Sequence, residues 1–319
     1  MYLKKLFYKL TNKEKHFYYK NTILRNELIK SNYLKIFKSG IDKKIAEIHN
    51  NIQTKKELSF LHYGHLGDLV NSLSIVQELS KTHKCNFYVQ ANKPLGLSKN
   101  YKQLELLNKQ WKKKFGDTIF LSDKSVDMVL PLLKKQTYFN KVEKYTNQEI
   151  DVDLNFVREM PLHNRRDDLN RWYSGMTGVT ADFSIPYLKS EPHPTIKNKI
   201  VIIRTLKRHG WFINYKFLRN YKDLLFIGLP TEYDDLKSEI PNLEYYDCKE
   251  FLEMAQIIQS CKLFIGNLSL GFHLAEALKV PRLLEGSPSD VMYYPHGEKA
   301  YVFFFQEHFE KWFNFLNNS

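Results

Sequence analysis

Cysteine is scarce in this chain. Cys85, Cys248 and Cys261 are an odd three, far apart in 319 residues. That excludes a disulfide framework and a CxxC metal site, and it suits a reducing compartment. Long apolar runs are missing too. The densest, Val302-Phe303-Phe304-Phe305, falls far short of the roughly 18 residues that a spanning helix needs. The opening MYLKKLFYKL is basic and partly apolar, but it lacks a continuous apolar stretch and a small-residue cleavage site, so no secretory signal is read. There is no HExxH, GxSxG or P-loop sequence, no low-complexity tract and no internal repeat. The eleven histidines show no metal spacing; His62 and His65 could share a face, without an evident third ligand. What remains is globular: 43% hydrophobic, 26% charged, and long enough for about two domains.

The net charge of +13 is unevenly spread. Residues 1–57 hold 14 Lys/Arg against 5 Asp/Glu, a surplus of +9, and the other 262 residues carry only +4. Leu34, Phe37, Ile41, Ile45 and Ile48 recur at helical steps with lysines between them, and Tyr8, Phe17, Tyr18, Tyr19 and Tyr33 add aromatics. This basic helical segment reads either as helices packed on a domain with solvated lysines or as a membrane-surface element for anionic lipid. It has no RNP, KH or zinc motif and no recognition helix, so nucleic acid is not an expected partner.

From Leu58 the pattern changes. A strand over 58–63 is followed by the turn Gly64-His65-Leu66-Gly67-Asp68, a helix carrying Leu69, Val70, Leu73, Val76 and Leu79, and a strand over 86–89. That order implies a parallel sheet. Helical stretches fill much of 99–145, and 150–156 alternates like a strand. After an irregular stretch at 160–198, strands are expected over 199–204, 223–228, 262–266 and 280–285. Helices are expected around 215–221, 232–239, 250–260 and 269–278. The fold class is α/β: two Rossmann-like doubly wound domains facing across a cleft. The expected boundaries are 1–57 for the basic extension, 58–185 and 186–300 for the two domains, and 301–319 for a helix packing back on the first.

Four constellations bear chemistry. Gly64, His65 and Gly67 form a turn beyond a strand end, where open sheets bind ligands, and Asp68 opens the helix. The helix dipole keeps such a carboxylate ionised, so it can cap the helix or take a proton from a sugar hydroxyl. The turn is not GxGxxG, which disfavours a dehydrogenase. Asn267, Ser269 and His273 sit at a second strand-to-helix turn suited to phosphate, or serve as cap and core. Arg204, Lys207 and Arg208 follow a strand and either neutralise a diphosphate or form a solvated loop. Glu285 ends a strand and could take both hydroxyls of a ribose, with Glu276 competing for that role. Asp151-Val152-Asp153 matches a DxD metal–diphosphate pattern, but its flanks read as strand; Asp167-Asp168 reads as a charged helix start.

Over about 58–297 the chain resembles the family 9 glycosyltransferases, the heptosyltransferase-like group of the GT-B fold. The resemblance rests on GHLGDLVNSLSIVQEL, on IVIIRTLKRHGW with FIGLPTEYDDL, and above all on FIGNLSLGFHLAEALKVPRLLEG. It implies an inverting, metal-independent enzyme that needs no cofactor. Such an enzyme moves a sugar from a nucleotide-diphosphate donor to a hydroxyl of a glycan or lipid-linked acceptor, in the cytoplasm or at the inner membrane face, for bacterial surface polysaccharide. By resemblance Asp68 is the base, and Gly64, His65 and Gly67 lie on the acceptor side. Lys207, Asn267, Ser269 and His273 meet the diphosphate, and Gly228 and Glu232 lie near the nucleotide. The chain departs from the family pattern at Leu268, where the family has Asp, and at Leu270, where it has Gly. Those departures keep a second expectation open, a non-catalytic nucleotide- or glycan-binding protein of the same fold.

Overall fold

Strands that read as unbroken apolar runs are those covered on both faces of a parallel sheet. The computed structural model describes residues 2–23, 25–27, 30–31, 40–93, 119–158, 168–210, 212–287 and 293–318. Tyr33, Leu34, Phe37, Asp167 and the part of the expected helical stretch over 99–118 lie outside these residues. The chain divides into two units, Met1–Asn50 and Asn51–Ser319.

The first unit contains α1 (Tyr2–Thr11), α2 (Lys13–Tyr18) and a π-turn, Tyr19–Ile23. Asn12 caps α2, its side chain accepting from the Lys15 amide at 2.8 Å. Helix α3 (Ile41–Thr54) carries the expected Ile41, Ile45 and Ile48 periodicity. Among the described residues no helix is long and apolar enough to cross a membrane.

The second unit holds both sheets. In chain order it runs β1 (Glu57–His62), α4 (Leu66–Leu79), β2 (Lys84–Val89), α5 (Asp123–Lys134), β3 (Lys141–Lys144), β4 (Val152–Asp153) and α6 (Leu169–Thr177). The four strands are parallel in the order β3-β2-β1-β4. Then come β5 (Ile200–Ile203), β6 (Leu224–Ile227), α7 (Pro230–Lys237), β7 (Glu244–Tyr246), α8 (Phe251–Gln259), β8 (Leu263–Asn267), α9 (Leu270–Leu278), β9 (Arg282–Glu285), β10 (Ala300–Phe303) and α10 (Gln306–Asn317). These six strands are parallel in the order β10-β9-β8-β5-β6-β7.

Several expectations need correction. The strand expected over 150–156 shrinks to β4, because Asp153 Oδ1 accepts from the Asn155 amide at 2.9 Å and a 3₁₀ turn, Leu154–Arg158, follows. The stretch 160–198 contains α6, with Asp168 capping it and Gly178 closing it at φ +70°. The segment 301–319 does not pack on the first sheet. Its start is β10, and α10 buries Phe309, Phe313 and Leu316 in the core of the second sheet with Ile202, Phe226, Ile265 and Leu283. A hydrophobic stripe goes to the nearest uncovered face, and Phe303 of β10 stacks on Phe309 at 4.1 Å.

Two helices set up the site. α4 is buried nearly all round: besides Leu69, Val70, Leu73, Ile75 and Val76, its Asn71, Ser72 and Ser74 are closed off. α9 is buried from Gly271 through Leu278. Helices without a polar face lie between layers, and these two pack on each other, joining the halves.

Candidate functional site

Because α4 and α9 each follow a strand-to-helix turn and pack together, the two turns meet. A Cβ on Gly67 would stand 2.2 Å from the His273 ring, so only the bare Cα of glycine fits there. Asn71 Nδ2 lies 2.7 Å from His273 Nδ1, and Asn71 Oδ1 accepts from the Tyr187 hydroxyl at 3.0 Å. The expected facing of the turns is present, but at this point the halves touch and no solvent gap separates them.

Asp68, in the first turn of α4, is 6% exposed. One carboxylate oxygen ion-pairs with Arg158, which follows β4, and the other accepts from the hydroxyl of Tyr293. Its backbone carbonyl accepts from the Tyr173 hydroxyl of α6 at 3.2 Å. The carboxylate is thus held by groups from both halves. Arg158, Tyr173 and Tyr293 carry no sequence signal: an arginine in a 3₁₀ turn, a tyrosine inside α6 and one in the irregular segment after β9 belong to no motif.

Cations gather beside the same turn. His65 is exposed over part of its surface, yet its ring lies edge-on to Phe120 at 5.2 Å. Withdrawal of that ring from water, and then the charges of Arg158, Arg208 and Lys207, push its imidazole down to about 4. Arg158 also stands over the Phe120 ring, at 4.9 Å. His62 is fully buried, and burial holds it well below the usual imidazole range, helped by Arg158 and His65. Its Nδ1 accepts from the Gly64 amide at 3.2 Å. Gly64 is crowded as well: a Cβ there would lie 2.7 Å from Asn155 Oδ1. Burial, and then Arg208, push His273 down to about 3, so it is a neutral imidazole around neutral pH.

The second half uses some expected ligand groups for its own architecture. Arg204 and Glu285 form a closed ion pair, Nε to Oε2 at 2.8 Å and Nη2 to Oε1 at 3.0 Å, with exposures of 5% and 1%. Glu285 also accepts from the Tyr215 hydroxyl at 2.9 Å and from the Gly210 amide. Arg204 and Glu285, expected at a diphosphate and a ribose, are thus paired with each other away from water. Asn267 is fully buried; its amide clamps Thr205, accepting from the backbone amide at 2.9 Å and donating to the carbonyl at 2.7 Å. It shapes the loop after β5. Glu276 pairs with the buried Arg282 and with Lys279.

Ser269 precedes α9, and its Oγ is shielded and finds no hydrogen-bond partner among the described residues. Lys207 is exposed on the loop after β5, while Arg208 donates to the Leu268 carbonyl at 3.1 Å. Leu268 itself is 6% exposed, so where the resembled family has a charge this chain has packing. Gly228 lies at the end of β6, and Glu232 accepts from the Leu229 amide at 3.1 Å, capping α7. The DxD carboxylates are committed separately: Asp151 takes Lys55 and the Ser59 amide at 2.8 Å, and Asp153 takes Asn155. Among the described residues no three His, Cys, Asp or Glu side chains are grouped to hold a metal ion.

No protein-family model matches the chain, and no curated protein matches it. Solved structures do. ADP-heptose lipopolysaccharide heptosyltransferase II of E. coli aligns over 82% of this chain and 98% of its own, at 11% identity and a TM-score of 0.50. A glycosyl transferase family 9 structure from Veillonella parvula covers 78% and 85% at 12% identity, with a TM-score of 0.43. The first likeness shows the fold: the second unit is a GT-B arrangement of two parallel-sheet halves.

Proposed function

We propose that this chain is a glycosyltransferase that moves a sugar from a nucleoside-diphosphate donor onto a hydroxyl of a glycan or lipid-linked acceptor. The observation that carries the reading is a buried carboxylate, Asp68, at a helix start where both halves of a GT-B fold converge, ion-paired with Arg158. The heptosyltransferase it resembles in fold acts with ADP-heptose; for this chain the donor sugar is of heptose or hexose type.

In the proposed reaction, the acceptor hydroxyl displaces Arg158 or Tyr293 from one Asp68 oxygen and hands that oxygen its proton as the new bond forms. The hydroxyl attacks the anomeric carbon from the face opposite the diphosphate, so the configuration inverts. The nucleoside diphosphate leaves with the bonding electrons. Its growing negative charge is met by Lys207 and Arg208, with the Ser269 hydroxyl and the amides at the start of α9 as hydrogen-bond donors. These groups supply the neutralisation, so no step is routed through a metal. His273, a neutral imidazole beside Gly67, serves as a hydrogen-bonding group rather than a charge.

The test is a thermal-shift screen with UDP, ADP, GDP, CMP and their sugars, followed by product analysis with the donor that binds. A raised melting temperature and a transferred sugar support the reading; no shift with any nucleotide removes it. A second reading is favoured by the internal commitment of Arg204, Asn267 and Glu285. On that reading the chain binds a nucleotide or glycan without turning it over. Binding with no donor consumed, with acceptors supplied, selects it.

A further inference from the structure

The first unit carries a surface that the site does not use. In α1, Leu3, Leu6, Phe7 and Leu10 are 80%, 43%, 60% and 78% exposed. Their three- and four-residue spacing puts them in one arc of about 100° around the helix. Tyr8 points away from that arc and meets the ring of Tyr19 edge-on at 5.8 Å, and Tyr19 is 4% exposed. Packing within the unit therefore uses the other side of α1 and leaves the apolar arc open to water. Lys4 borders the arc beside Phe7, Lys9 borders it beside Leu6, and α1 contains no acidic residue. The next helix adds Phe17 and Tyr18, 69% and 61% exposed.

We propose that α1 and α2 dock the protein onto an anionic lipid bilayer, lying flat in the headgroup region. The inference does not depend on the proposed glycosyl transfer. At ten residues α1 is too short to span a bilayer, but its apolar arc is the size of face that sinks to the level of the upper acyl chains. Lysines at both edges of the arc can lay their stems along that boundary and reach lipid phosphates. Residues 1–57 carry a surplus of +9, which an anionic surface attracts. The same charge disfavours a second copy of this chain as the occupant, because like would face like.

The experiment sediments the full chain with vesicles of phosphatidylcholine containing about a third phosphatidylglycerol, with pure phosphatidylcholine vesicles as reference, across salt. The expected result is binding to the anionic vesicles that weakens as salt rises. Phe7→Glu with Leu10→Glu is expected to lower the bound fraction at least about tenfold. Both substituted side chains are exposed, so the melting temperature is expected to stay put. Lys4→Gln with Lys9→Gln should reduce the preference for anionic over neutral vesicles. No sedimentation with anionic vesicles overturns the proposal, and so does binding indifferent to Phe7→Glu with Leu10→Glu. Concentration-dependent self-association that these changes abolish, without vesicle binding, assigns the arc to a second copy instead.

Discussion

The hydroxyl of Tyr293, from the second half of the fold, donates its hydrogen bond to the carboxylate of Asp68 in the first. The same tyrosine ring stands edge-on to His273 at 4.4 Å, so one side chain touches both residues that the two turns bring forward. Tyr293→Phe keeps that ring contact and removes the donor. It should cost about 2 kcal/mol of stability, the scale of a hydrogen bond to a charged acceptor, read from a denaturant midpoint. It should lower turnover far less than loss of the carboxylate does. An equal loss in both variants would make the tyrosine part of the chemistry.

Asp68→Asn tests the proposed base. The amide preserves shape and cannot take the proton. Transfer should fall by about 10²–10⁴-fold, while the melting-temperature rise given by the nucleotide stays within error of the unaltered protein. Turnover that persists would remove Asp68 from the proton path.

Arg204 and Glu285 offer a contrast between architecture and ligand binding. Glu285→Gln should destabilise the fold by about 3–5 kcal/mol, because a buried guanidinium is left without its counter-charge. Replacing the pair together, Arg204→Met with Glu285→Leu, should recover part of that loss, measured by urea unfolding. A Glu285→Gln protein that is fully stable but blind to nucleotide would return this carboxylate to the donor site.

Acid should loosen the fold before carboxylates titrate. His273 is held near 3 when folded and has an ordinary value of 6.5 when unfolded. Above 6.5 it is neutral in both states and changes nothing. As pH falls below 6.5, the unfolded chain takes up a proton that the folded one refuses, and stability declines until about pH 3. The slope is about 1.4 kcal/mol per pH unit, so about 2 kcal/mol is lost by pH 5 from this residue. His62, which burial also pushes down, adds in the same direction. Urea midpoints at pH 7 and pH 5 should differ by more in the native protein than in His273→Gln.

Much of this architecture was legible because its strongest signals are local. Ile200–Ile203, Leu224–Ile227 and Leu263–Asn267 are near-continuous apolar runs, and buried parallel strands leave that mark. The edge strands Lys141–Lys144, Glu244–Tyr246 and Ala300–Phe303 were missed for the matching reason. They are half-open to water, and charged residues mute the pattern in Lys141–Lys144 and Glu244–Tyr246, while Ala300–Phe303 is apolar and runs straight into the aromatic residues ahead of α10. At the site, the two turns were readable as turns, because glycine and small polar residues between a strand and a helix are visible in sequence. The partners were not. Arg158 lies 90 positions from Asp68 and Tyr293 lies 225 away, and Glu285 is 81 from Arg204. Only the folded chain says which distant charge neutralises which, so Arg204, Asn267 and Glu285 looked free when they were already taken.

The absence of a side chain at Gly67 sets how closely the two halves can approach. The imidazole of His273 occupies the volume where a methyl group would sit. Alanine there would act as a wedge at the fulcrum. A displacement of an ångström or so at that point, carried along two rigid sheets, would grow into a wider parting at their outer rims. The fit of the two halves against each other thus turns on one missing carbon.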